Sequence, residues 1–194
     1  LVLKMLKKII NIIFPKKEEK ALALKIYTEI IRQSRQEYFY KDLLVDDTID
    51  GRFDLIVLHV FFVMSRLKFG NQSNSKLSQC LLDLMFSDFD SSLRELGFGD
   101  ISVNKKAKDM IKAFYGRIQR YDQVFSSGKF EEVSSALVNN IYRNRKISGG
   151  VIEKLTKYSL ETHNFVGKKP LDEVDYCINM FPIVNKHNNI PSYE

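Results

Sequence analysis

One stretch constrains the fold more than any other. From Arg52 to Lys68 the chain reads RFDLIVLHVFFVMSRLK, with Phe53, Leu55, Ile56, Val57, Leu58, Val60, Phe61, Phe62, Val63 and Met64 in close succession. As a helix it is apolar on almost every side, and such a helix is stable in water only when other elements enclose it. Its greasiest part, Leu55 to Met64, falls short of the ~20 apolar residues that cross a bilayer, and it carries His59 at its centre. The segment is therefore expected to be the buried axis of a helical fold, and its neighbours should each present one apolar stripe.

The rest of the chain supplies such stripes. Leu24, Tyr27, Ile31, Ser34 and Tyr38 recur at three- and four-residue spacing, which predicts a first helix with Lys25, Glu29, Arg32 and Arg35 on its polar side. An acidic loop of Asp42, Asp46 and Asp47 leads to Asp50, the expected N-cap of the central helix over about 52–68. Gly70 to Asn74 reads as a turn. A third helix is expected over 76–96 on Leu77, Leu81, Leu84, Met85 and Leu93, stopping at Gly97, with Ser102 capping a fourth. That fourth helix has the cleanest stripe, Val103, Ala107, Met110, Phe114, Ile118, Tyr121 and Phe125, closed by Gly128. Shorter helices fit 129–143, 150–162 and 171–181, the last on Leu171, Val174, Ile178 and Phe181. Alternating strand patterns and hairpin dipeptides are missing, so the expected class is all-α, a single-domain bundle of about six to eight helices around a central apolar one. The expected division is a basic amphipathic segment over 1–15, a helical domain over 16–183 and a polar tail over 184–194.

A length of 194 residues suits one domain, and 9 Gly, 4 Pro and 44% apolar residues exclude collagen-like, low-complexity and mostly disordered chains. Cys80 and Cys177 have no Cys or His neighbour at ligand spacing, so neither a disulfide framework nor a zinc knuckle is expected, and a reducing compartment is. Residues 1–41 carry ten basic and four acidic side chains, 42–100 five and ten, and 101–194 fifteen and ten. That order suggests surfaces of opposite sign, suited to anionic lipid or RNA on one side, with solvated helix faces as the plainer reading.

The amino-terminal MLKKIINIIFPKK sets Lys7 and Lys8 among Leu6, Ile9, Ile10, Ile12, Ile13 and Phe14 and breaks at Pro15. It is too short for a signal-peptide core, but a basic amphipathic segment of this kind suits a membrane interface, apolar side chains inward and lysines at the phosphates. The competing expectation is a first helix that docks on its own domain.

Few residues carry a chemical signature. His59, in the greasiest helix, is expected to face Asp83, Asp88 and Asp90 on the next one, either as a base or metal ligand or, more simply, as a core histidine with one good hydrogen-bond partner. His163 and His187 sit in polar, weakly patterned stretches. Asp83, Asp88, Asp90, Glu95 and Asp100 match neither a calcium loop nor the Glu-x-x-His pairs of a di-metal bundle, and Asp83, Asp90 and Arg94 share a helix face as an ion-pair network would. Gly97-x-Gly99 lacks a third glycine, and Walker and nucleophile-elbow patterns are missing. We therefore expect no catalytic residues, no metal and no cofactor. Lys105, Lys106, Lys108, Lys112, Arg117 and Arg120, with Arg143, Arg145 and Lys146 further on, form a candidate phosphate-binding face, though without a helix-turn-helix or stacking motif, so specific DNA binding is not expected.

Three ordered blocks go beyond generic helix. Asp47-Thr48-Ile49-Asp50-Gly51-Arg52-Phe53-Asp54-Leu55, running on to Leu58-His59, is the first. The second is Leu84-Met85-Phe86-Ser87-Asp88-Phe89-Asp90 with Leu93-Arg94-Glu95-Leu96-Gly97-Phe98-Gly99-Asp100, and the third is Ala113-Phe114-Tyr115-Gly116-Arg117 followed by Tyr121. Their order and spacing resemble the ubiquinol-cytochrome c chaperone family over residues 47–121. Phe89 and Phe98 stand where that family more often has Met and Val.

The resemblance implies an assembly factor for respiratory complex III that attends newly made cytochrome b, with the ribosome surface as a further partner. It implies the bacterial, single-domain form, since no Arg-rich transit peptide precedes the blocks, working in the cytoplasm at the inner face of the inner membrane as a peripheral protein. Residues of the blocks whose chemistry exceeds packing, Arg52, Asp54, Arg94, Glu95, Asp100, Tyr115 and Arg117, are the candidate client or partner contacts, expected as a charged surface or a network around His59. Leu6, Lys7, Lys8, Ile9, Ile10, Ile13 and Phe14 are the candidate membrane contacts. The alternatives are a membrane-peripheral scaffold without chaperone activity and an enzyme built on His59 and the acidic residues.

Overall fold

The computed structural model of the chain describes residues 17–68, 72–168 and 180–184. Among these, the helices in chain order are α1 (Lys17–Ser34), α2 (Glu37–Lys41), α3 (Ile49–Leu67), α4 (Gln72–Glu95), α5 (Asp100–Ser127), α6 (Phe130–Ile141) and α7 (Gly149–Gly167), with no strand. The molecule is all-α, as the periodicity predicts. The amphipathic segment 1–15, most of the 171–181 stretch (Leu171, Val174 and Ile178 included), Cys177 and His187 lie outside the described residues. Met180 and Phe181, placed at the end of an expected helix, are buried without being helical.

α3 is the axis. It packs against α1, α4, α5, α6 and α7, and from Phe53 to Val63 every side chain is buried. Burying a side chain of Leu, Ile or Phe size contributes about 1.5–3 kcal/mol; enclosure on all sides is therefore where the bundle gets most of its stability. The predicted stripe of α5 also faces inward, with Val103, Met110, Phe114, Tyr121 and Phe125 buried. Gly128, at φ 64°, closes α5 in the left-handed conformation that L side chains disfavour.

Several local expectations are corrected. The N-cap of α3 is Thr48, whose hydroxyl accepts from the Gly51 amide at 3.1 Å, and Asp50 sits in the first turn instead. α5 starts at Asp100 behind Gly99, so Ser102 is inside the helix rather than its cap. The first helix does not run on to Tyr38; it stops at Ser34 and restarts as α2. At the break Tyr40 donates its hydroxyl to the Ser34 carbonyl at 2.8 Å, and the turn delivers Phe39 into the core, 5.5 Å from the His59 ring and 5.1 Å from Tyr158. Leu24 is 55% exposed, because the inward face of α1 is set by Ala23, Ile26, Tyr27 and Ile30, rotated from the predicted stripe.

Candidate functional site

The first turns of α3 carry Asp50 and Asp54 on one face, one helical turn apart. Their position depends on the loop before them. A Cβ on Gly51 would lie 2.0 Å from the Asp46 carbonyl oxygen, so only glycine lets the acidic loop close over the helix start. The connection between α6 and α7 clamps the same loop from outside: Tyr142 donates to the Leu43 carbonyl at 2.7 Å, and Arg145 reaches the Leu44 carbonyl and Asp46. Arg143 and Asn144 adopt left-handed φ values of 51° and 61°, an uncommon backbone for such residues, and this turn sends Arg143 to the acids.

Asp54 is fully buried. Arg117 of α5 places Nη2 2.8 Å from its Oδ1, a charge contact without an aligned hydrogen bond, while Arg143 Nη2 donates to Oδ2 at 3.1 Å. Arg143 Nη1 also donates to Asp50 at 3.0 Å, and Lys106 stands 3.8 Å from the other Asp50 oxygen. Burial pushes the Asp54 carboxyl up to about 6, the two arginines opposing it. Two cations lie over rings beside the node, Arg117 at 5.3 Å from Phe53 and Lys106 at 5.5 Å from Phe98. The node is one wall of an open groove of about 590 Å³ with Phe53, Phe98, Met110 and Ala113 as its apolar part. A second groove, about 410 Å³, adjoins the first at Phe53 and Met110 and runs between Arg52 and Glu95 over Ile56, Phe89 and Leu93. Apolar floors with ionic rims suit an amphipathic peptide segment.

The seven candidate contacts do not form one cluster. Asp54 and Arg117 meet in the node. Arg52 pairs with Asp47 at 2.6 Å and, with Glu95, edges the second groove. Arg94 bridges Asp90 (2.7 Å) and Asp100, tying the end of α4 to the start of α5. Tyr115 points out from α5 and is 57% exposed. Sequence reasoning missed Asp50, Lys106 and Arg143 as members of the node. Two carboxylates one turn apart at the start of an otherwise apolar helix were the available signal, since buried acids require cationic partners. Arg143 and Arg145, expected on a phosphate-binding face, are engaged inside the molecule instead.

His59 is not near the α4 acids. Its Nδ1 lies 2.7 Å from the Leu55 carbonyl and 3.3 Å from Ser34 Oγ, and its Nε2 lies 2.7 Å from the Tyr158 hydroxyl. Gln33 donates to the same hydroxyl and to the Pro182 carbonyl, both at 3.1 Å, and the Phe181 ring lies 5.1 Å from the His59 ring, so His59 and Gln33 together tie α1, α7 and residues 180–184 to α3. Burial lowers its pKa to about 4 and keeps it neutral. The acids it was expected to meet are used elsewhere: Asp88 accepts from Tyr27 at 2.7 Å, Asp83 from Gln79 at 2.8 Å, and Asp90 pairs with Arg94. His163, expected in polar surroundings, stacks on Phe61 at 5.7 Å and shares a hydrogen bond with Ser65 at 2.9 Å. Among the described residues no three His, Cys, Asp or Glu converge as metal ligands.

The family model for the ubiquinol-cytochrome C chaperone matches residues 41–174. Ubiquinol-cytochrome-c reductase complex assembly factor 1 of Xenopus laevis is 21% identical over 140 residues, covering 72% of this chain and 69% of that protein. The Mus musculus protein of the same name is 23% identical over 139 residues, 72% of this chain and 47% of its own. The Homo sapiens protein is 26% identical over 104 residues, 54% of this chain and 35% of its own. The crystal structure of the Cbp3 homolog from Brucella abortus superposes with a TM-score of 0.71 at 29% identity, over 91% of this chain and 93% of that one.

Proposed function

The chain belongs to the ubiquinol-cytochrome c chaperone family, and from that premise we propose that it assists assembly of ubiquinol-cytochrome c reductase, respiratory complex III, by holding newly made cytochrome b until cofactor and partner subunits are in place. The family is one of chaperones and assembly factors, not of enzymes. One observation carries the reading: the matched stretch, 41–174, contains the whole Asp54 node and the floors of both grooves that flank α3. An unassembled membrane subunit exposes amphipathic connecting segments, and grooves with apolar floors and ionic rims match them.

Among the described residues no helix is long and apolar enough to cross a membrane. The proposed station is the periphery of the inner membrane on the cytoplasmic side of a bacterium, with Leu6, Lys7, Lys8, Ile9, Ile10, Ile13 and Phe14 as membrane contacts and the ribosome surface as a further partner. Deletion of the gene followed by absorption spectra of membrane haems tests the function. The expected result is loss of the b-type signal of complex III with other respiratory complexes intact. An unchanged b-type signal would rule out the chaperone role and leave a scaffold.

A further inference from the structure

α5 meets α3, α4 and α6 on one side. Its opposite side carries Ile101, Ile111 and Tyr115, which are 87%, 38% and 57% exposed. Positions 101, 108 and 115 repeat every seven residues, and 104, 105, 111 and 112 fall between them, so all lie on one face along ~21 Å of helix. The other members of that face are Asn104, Lys105, Lys108 and Lys112; the three lysines are exposed and in no ion pair among the described residues, and Lys105, at the edge of the face, also borders the groove beside the Asp54 node. Of the carboxylates of the helix, Asp100 is paired with Arg94 and Asp122 with Lys68, and Asp109 borders the groove on the flank next to Lys105, leaving Lys108 and Lys112 as the cations at the centre of the face.

We propose that this face of α5 docks on the surface of an anionic phospholipid bilayer. The apolar side chains are set singly between lysines rather than gathered in a patch. A protein partner calls for the reverse, an apolar centre inside a charged rim. A single-stranded nucleic acid calls for a row of aromatic platforms, and here only Tyr115 could stack. At a lipid interface the interleaving fits: isoleucines and the tyrosine ring enter the acyl boundary while lysines reach up to the phosphates. The inference deepens the peripheral membrane contact proposed above and rests on that reading for the compartment alone. It names a second contact, which matters because one weak signal gives only marginal, reversible attachment.

The chain has no tryptophan, so one introduced indole reports its own surroundings. In the full chain, Tyr115→Trp is mixed at low salt with vesicles of phosphatidylcholine alone or with phosphatidylglycerol added, some carrying brominated acyl chains. We expect a blue-shifted emission quenched by bromine on the phosphatidylglycerol vesicles only. Adding Lys105→Gln, Lys108→Gln and Lys112→Gln should weaken vesicle affinity about a hundredfold with an unchanged helical dichroism spectrum. Ile101→Ser with Ile111→Ser, in the same background, should abolish the quenching. Phe14→Trp, run in parallel, reads the amino-terminal contact separately. Quenching at position 14 but not at 115 overturns the α5 inference and leaves the amino-terminal one standing, and quenching at neither overturns both. Equal quenching on both vesicle types overturns the anionic requirement. A blue shift at 115 produced by an apolar transmembrane peptide in neutral detergent, but not by vesicles, assigns the face to a protein partner and overturns the lipid inference.

Discussion

Arg117 Nη2, from the middle of α5, lies 2.8 Å from Oδ1 of Asp54, a carboxylate fully buried in the second turn of α3. α3 is apolar on all sides, so hydrophobic burial alone discriminates weakly between rotations of that helix about its axis. A buried charge pair does discriminate, because any other rotation leaves a carboxylate among Phe and Val without a cation. The pair thus sets which residues of α3 face α5, and with it the shape of the groove between Phe53 and Phe98.

Removing one member of the pair should therefore cost far more than removing both. We expect Asp54→Ala to destabilise the fold by about 3–5 kcal/mol, and Asp54→Leu combined with Arg117→Met to recover most of that loss. Urea unfolding midpoints check this. A single-variant cost under about 1 kcal/mol would show that the pair does not organise the helix.

The pH dependence of stability should carry two opposing slopes. Asp54 has a folded pKa of about 6, raised from 3.8, so its contribution is present below pH 4 and is lost as the pH rises to about 6. His59 has a folded pKa of about 4, lowered from 6.5, so its contribution is present above 6.5 and is lost as the pH falls to about 4. Each shift is on the order of 3 kcal/mol, so between pH 4 and 6 they largely cancel. Asp54→Asn should unmask the His59 slope, making stability rise with pH across that window. Its measurement by urea titration at several pH values, with the His59 imidazole followed by NMR, is direct; an imidazole that titrates near 6.5 would contradict the buried, neutral assignment.

Two glycines of the resembling blocks should respond with opposite signs. Gly51→Ala drives a Cβ into the Asp46 carbonyl and should cost about 1–3 kcal/mol, as overpacking does. Gly116 lies inside α5 with open space around it, so Gly116→Ala should stabilise by about 0.5–1 kcal/mol. Thermal midpoints of the two variants, moving down and up respectively, check the local geometry.

Client binding is predicted at the groove wall. A photo-reactive side chain replacing Lys106, which edges the node, should capture newly made cytochrome b, whereas one replacing Lys157 on the outer face of α7 should not. Equal capture at both positions would place the client elsewhere.

The amino-acid sequence by itself determined the class and the axis. Three- and four-residue spacing says which side of each helix turns inward, and a segment apolar on every side, Phe53 to Met64, has to be enclosed. The stripe of α5 and its close at Gly128 were legible for the same reason. Periodicity is a property of one element at a time, however, and the site is made between elements. Tertiary structure alone decided that Asp50 and Asp54 meet Arg143 from a left-handed turn after α6, that His59 bonds Tyr158 rather than the acids of α4, and that α1 stops at Ser34 so that Phe39 can enter the core. Charge pairs and hydrogen bonds act over about 3 Å, and the crossing of helices distant in sequence sets such distances, which no one-dimensional spacing records.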